Sequence, residues 1–141
     1  MATEQDITLN QEERREQVWH AYNERLRGLP FELPADLERD SRHAYHLYTP
    51  LLKLDELSVG RDQITAALDA ENIGVGIHYV PVHQHPYYRQ RFGYQNSDFP
   101  NATFVGERTL SLPLSPTMSE QDITDVVTAL TRICRYYKAS A

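Results

Sequence analysis

The stretch that most constrains the fold is "SEQDITDVVTALTRICRYY", Ser119 to Tyr137. Ile123, Val126, Val127, Leu130, Ile133, Cys134 and Tyr137 recur three or four positions apart, so a helix places them in one apolar stripe. Ser119 followed by Asp122 is a capping-box-like start for it. Such a helix draws most of its stability from packing its apolar face, so the rest of the chain must cover that stripe.

Several segments are suited to cover it. From Gln11 to Arg27, Val18, Tyr22 and Leu26 recur every four residues with Trp19 beside them, which predicts an amphipathic helix stopped by Gly28 and Pro30. The connector "LPFELPADLERDSR" has two prolines and no stable period. In "HAYHLYTPLLKL", the inward positions Tyr45, Leu47 and Leu51 predict a half-buried strand from Ala44 to Leu54, with Pro50 requiring an edge position or a bend. "GRDQITAALDAENIGV" predicts a short helix with Ile64, Ala67 and Leu68 on one face, closed near Asn72, and a second strand follows from Val75 to Val80. Pro86 and Pro100 each suit the first position of a short helix, the second running through Arg108, with "GYQNSD" as the loop between them. "RTLSLPL" is a last short strand ended by Pro113.

These elements predict an α+β fold, a small mainly antiparallel sheet with helices packed on one face. The length of 141 residues suits one core. Residues 1–10 are expected to be a flexible leader and 11–141 the domain. The polar, acidic N-terminus lacks the apolar run of a signal peptide, and no run approaches a membrane span, so a cytoplasmic protein without a membrane partner is expected. A net charge of -6, with ten of the twenty acids in the first forty residues, offers a phosphate backbone no attractive surface, so nucleic acid is not an expected partner.

Chemistry-bearing residues concentrate in "GVGIHYVPVHQHPYY", Gly74 to Tyr88. His78, His83 and His85 raise a metal site, but they lack helical H-E-x-x-H spacing and any cysteine partner, and none is expected. Cys134 is the only cysteine and lies on the apolar face of its helix, where a thiol is a small hydrophobe. Ser111 and Ser115 lack a G-x-S-x-G elbow, and "GVG" at 74–76 lacks the following helix that a phosphate cradle needs. Spacing therefore points to no catalytic residue.

"HYVPVHQHPYYRQRFGY", "FPNATFVGERTLSLPLSPTMSEQDITDVV" and "HAYHLY" together resemble the C-terminal small domain of the DegT/StrS-type sugar aminotransferases, pyridoxal-phosphate (PLP) enzymes that aminate nucleotide-linked keto-sugars. "RREQVWHAYNERLRGL" is similar to the helix, residues 11–28, that joins that domain to the large one. The resemblance implies the small domain of a fold-type I aminotransferase, with substrate-side residues at His78 and Tyr79 and a further candidate at His83. Imidazole and phenol groups there would donate to pyrophosphate or sugar oxygens, with Pro81 setting the turn. Tyr87 and Tyr88 are expected to pack the core.

Family members hold PLP in the large domain through a Schiff-base lysine. The two lysines here, Lys53 and Lys138, lack that lysine's serine- and glycine-rich context, so no cofactor-binding residue and no activity are expected of this chain alone. The implied partners are a large PLP-binding domain, in cis or in trans, and a nucleotide-sugar. The apolar surface left by an absent large domain would favour self-association. The alternative is a free-standing, non-catalytic binding or interaction module derived from the same fold. The chain departs from the family pattern at Thr103, where a glutamate commonly stands, and at Asn72, which is usually glycine.

Overall fold

The computed structural model describes residues 4–139. Five α-helices and a small antiparallel sheet make up the α+β fold among the described residues. The first helix, α1, spans Glu4–Arg25. It begins seven residues before the expected Gln11, so the predicted leader is helical backbone from Glu4, and residues 1–3 lie outside the described part. Beyond Arg25, Leu26 still donates to the Tyr22 carbonyl at 2.9 Å, and Gly28 turns the chain away with a φ of 84°.

Two regular strands follow, β1 (Phe31–Glu32) and β2 (Leu51–Leu52), paired antiparallel with Phe31 opposite Leu52. β1 lies inside the segment expected to be an extended connector. The expected strand over 44–54 is much shorter and displaced in phase. Tyr45 takes a φ of 46°, its N–H held by His43 Nδ1 at 2.8 Å, and this left-handed residue cannot continue a strand. The alternation restarts one residue later: Tyr48, Pro50 and Leu52 face inward, while Leu47 and Leu51 are only half-buried. Pro50 therefore sits in an interior segment and not at an edge, its carbonyl accepting the Leu110 N–H at 3.5 Å.

The Thr109–Leu112 segment lies on the other side of this ladder, through antiparallel bridges Leu51 to Thr109 and Tyr48 to Leu112. Gly76 pairs with Ser111 at the far edge, each N–H bonded to the other's carbonyl at 3.1 and 2.7 Å. The strand expected from Val75 to Val80 is thus a single bridge at Gly76. Residues 77–80 leave the sheet because His78 folds back over Gly76, where an added Cβ would stand 2.6 Å from the ring Cε1.

The helix α2 (Arg61–Ala70) presents Ile64 and Leu68 to the core and closes at Asn72, whose φ of 59° lets Ile73 donate back to Leu68. Two short helices follow, α3 (Pro86–Phe92) and α4 (Pro100–Arg108), each with proline in its first turn. The last, α5 (Glu120–Tyr136), opens with the expected reciprocal capping box between Ser119 and Asp122. Its stripe packs against α1 and α2, burying Ile123, Val126, Leu130, Ile133 and Cys134. One contiguous core joins that stripe to Val18, Tyr22 and Leu26 of α1, Ile64 and Leu68 of α2, and Tyr48, Leu52, Leu110 and Leu112 of the sheet.

Candidate functional site

The edge of the sheet at Gly76 and Ser111 positions the histidine-rich segment. Ser111 is buried, and its hydroxyl lies 2.7 Å from His78 Nδ1. The missing side chain at Gly76 makes room for the His78 ring. His78 is consequently half-buried and held from below, with Nε2 unpartnered among the described residues. The His78–Tyr79 peptide is cis, and the Tyr79 ring meets the imidazole edge-on at 4.8 Å while remaining 76% exposed.

Pro81 anchors the next residues. Its ring packs on Gly106 of α4 so closely that a Cβ there would overlap the proline Cγ. The Gly106 carbonyl in turn accepts from the Arg61 guanidinium at the start of α2, which ties α4 to the three-helix core. A single 3₁₀ turn, Val82–Gln84, then carries His83 inward.

His83 is 4% exposed and stacks obliquely on Phe99 at 4.9 Å. Its Nε2 lies 2.9 Å from the Thr103 hydroxyl, which donates its own proton to the Asn96 carbonyl at 3.0 Å. His83 Nε2 must then be the donor in that pair, because the hydroxyl has a single hydrogen. Of the three expected substrate-side residues, Tyr79 is at the surface, His78 is half-covered and His83 lies inside the segment. His85 is exposed, with Nε2 3.3 Å from the Val80 carbonyl.

Tyr87 and Tyr88 do not pack the core. They are exposed on α3, a helix of seven residues that buries none of its side chains. Tyr88, Phe92 and Tyr94 instead stack on one another, at 6.1 and 5.3 Å between successive rings. No side chain of this helix is buried, so its aromatic residues form a surface row and not a core layer.

Spacing alone did not disclose Ser111, Gly106 or Thr103 as the residues that hold this segment. Ser111 sits one strand away and 33 residues along, and Gly106 looks like any glycine near the end of a helix. "GVG" was the only local signal at Gly76. Cys134 is buried in the core, and burial pushes its thiol up to about 11, which leaves it protonated at neutral pH. Among the described residues no group of three or more His, Cys, Asp or Glu side chains is placed to share a metal ion, and no helix is long and apolar enough to cross a membrane.

The family model for the DegT/DnrJ/EryC1/StrS aminotransferase family matches residues 8–131. The spore coat polysaccharide biosynthesis protein SpsC of Bacillus subtilis is 42% identical over 127 residues, 88% of this chain and 32% of its own length. An uncharacterized Methanocaldococcus jannaschii protein, MJ1066, is 41% identical over 120 residues, 85% of this chain and 31% of its own. The chain thus spans about a third of the length of the curated relatives it matches.

Among solved structures, DesV of S. venezuelae, in complex with a ketimine intermediate, superposes with a TM-score of 0.73 at 28% identity, over 86% of this chain and 31% of its own. The apo form of Streptococcus pneumoniae Spr1654, a putative sugar aminotransferase, shares the fold with a TM-score of 0.81 at 19% identity, over 93% of this chain and 32% of its own. The sequence match across the core helices and the histidine segment, with the same fold beneath it, means that this chain belongs to the DegT/DnrJ/EryC1/StrS aminotransferase family.

Proposed function

We propose that this chain is the small-domain portion of a PLP-dependent aminotransferase acting on nucleotide-linked keto-sugars, and that it supplies part of the substrate wall. The observation that carries this reading is coverage: nearly all of this chain matches about a third of each relative. Residues 11–141 act as the small domain, with the segment of residues 11–28, which holds most of α1, leading to a large domain carried in cis or in trans. His78 and Tyr79 contact the substrate's oxygens, and His83 shapes the segment from within.

The chain's own amines do not fit the carbonyl end of PLP. Lys53 is exposed with Nζ 3.4 Å from Glu56, and Lys138 is exposed beside its bridge to Leu57. In this reading the large domain holds the cofactor, and this chain alone has no turnover. The row of exposed rings on α3 favours a second reading, an interaction module that associates with itself or another protein.

The test starts from the mass of the native polypeptide, which decides whether the large domain is in cis or must be supplied as a second chain. Amination of a nucleotide-linked keto-sugar is then measured in that holoenzyme. His78→Ala should raise KM for the nucleotide-sugar about tenfold, the loss of one hydrogen bond to a charged oxygen, with kcat little changed. An unchanged KM would overturn the substrate-wall role. Light scattering that finds only monomer at high concentration would overturn self-association.

A further inference from the structure

We infer that Ser111 is a positioning residue that locks His78 as the Nε2–H tautomer, so that this ring offers a ligand a hydrogen-bond donor and no acceptor. This deepens the substrate-wall reading and rests on it for the identity of the ligand.

The argument is one of satisfying a buried hydroxyl. Ser111 is 4% exposed, and its Oγ has one side-chain partner among the described residues, His78 Nδ1 at 2.7 Å. Two proton arrangements fit that distance. If Nδ1–H donated to Oγ, the serine's own hydrogen would have no acceptor among the described residues, which costs roughly the desolvation of an unpaired polar group. If the serine O–H donates to the bare Nδ1, both atoms are satisfied and the ring proton must lie on Nε2.

Gly76 keeps this arrangement in place. Its backbone is held by the paired N–H and C=O bonds to Ser111, and its bare Cα lets the imidazole lie across the strand edge. The ring therefore has Ser111 on one nitrogen and the strand beneath it, and only Nε2–H is left to meet a ligand or water. A fixed donor suits acceptor-only oxygens, such as those of a diphosphate or a ketone. It discriminates against groups that need an acceptor at that point.

The test reads the tautomer directly, on the chain as it exists, by long-range ¹⁵N–¹H correlation of the histidine rings in buffer at about pH 8.5, well above the pKa of free histidine. His78 is assigned by its absence from the His78→Asn spectrum. The expected result is a bare Nδ1 and a protonated Nε2 for His78 in the wild type. Ser111→Ala should shift its signals towards the exchanging mixture of free imidazole, and Ser111→Thr, which retains the hydroxyl, should restore the wild-type pattern.

A wild-type ring protonated on Nδ1, or a tautomer unmoved by Ser111→Ala, would overturn the proposal. A wild-type ring protonated on Nδ1 overturns the proposal even if the alanine variant fails to fold. No ligand enters the measurement, so an unchanged KM in the His78→Ala holoenzyme would remove the substrate-wall reading while leaving the tautomer result standing.

Discussion

Replacing Gly106 with alanine should change the sign of its effect on stability according to what stands at position 81. In the wild-type background two terms oppose each other. Alanine is favoured over glycine in a helix by about 1 kcal/mol. The added Cβ, however, would overlap the Cγ of Pro81, and a proline ring, fixed at a φ of -57°, cannot swing aside as a flexible side chain would. Overpacking of this kind costs about 1–3 kcal/mol. The net expectation is a destabilisation of up to about 2 kcal/mol, or roughly 3–8 °C in Tm for a chain of this size.

With Pro81→Ala already in place the clash disappears. Only the Cβ at position 81 then faces the new methyl, and that atom lies at 3.8 Å, an ordinary contact. Gly106→Ala should now stabilise by about the full helix term of ~1 kcal/mol. The coupling between the two sites is thus about 1–3 kcal/mol. Urea unfolding of the four proteins of the cycle, followed by circular dichroism, measures it. If Gly106→Ala stabilises equally in both backgrounds, Pro81 does not rest on α4 as described and the anchoring of the histidine segment fails with it.

Four further outcomes follow from the core and its caps. Leu130→Ala, which empties a fully buried position on α5, should cost about 2–5 kcal/mol by denaturant unfolding, and a loss below ~1 kcal/mol would contradict the packing of α5 on α1 and α2. Ser119→Ala should cost about 1 kcal/mol, because Ser119 Oγ accepts the Asp122 N–H. Hydrogen bonds from Ser119, backbone first and then side chain, hold the Asp122 carboxyl below its ordinary range. A lowered folded pKa means that this group's stabilisation is complete above about pH 4, the unfolded value, and disappears as pH falls through the folded one. An acid titration of stability with Asp122→Asn should therefore converge on the wild type only at the acid end, and a constant offset at all pH values would refute the assignment. Cys134 should resist a thiol reagent in the native protein at pH 8 and react once the chain is unfolded; rapid stoichiometric labelling of the folded protein would show it to be exposed.

The parts of the fold that sequence disclosed are those whose signals are local and repeated. The α5 stripe and its Ser119–Asp122 cap lie within one continuous segment, and so do Val18, Tyr22 and Leu26 of α1, and the Asn72 closure of α2. The short strands were harder. Alternation around Tyr45 is present in the letters, yet a single left-handed residue shifts the inward set by one and turns Tyr48 and Leu52 to the core in place of Leu47 and Leu51. Likewise Tyr87 and Tyr88 have the composition of a core but occupy a helix whose side chains all stay exposed.

Sequence by itself determined the class of the fold, the helices that enclose its core, and the family, because hydrophobic period, capping residues and ordered motifs are properties of neighbouring residues. It also singled out the segment from Gly74 to Tyr88 as the place where hydrogen-bonding side chains concentrate. Tertiary structure alone decided what each of those side chains can do. His78 is gripped by Ser111, His83 is turned inward to Thr103, and Tyr79 is left at the surface. The physical reason is that a histidine's role is set by the partner of each ring nitrogen. Here those partners lie 33 and 20 residues away and meet the ring only when the sheet edge and α4 come together.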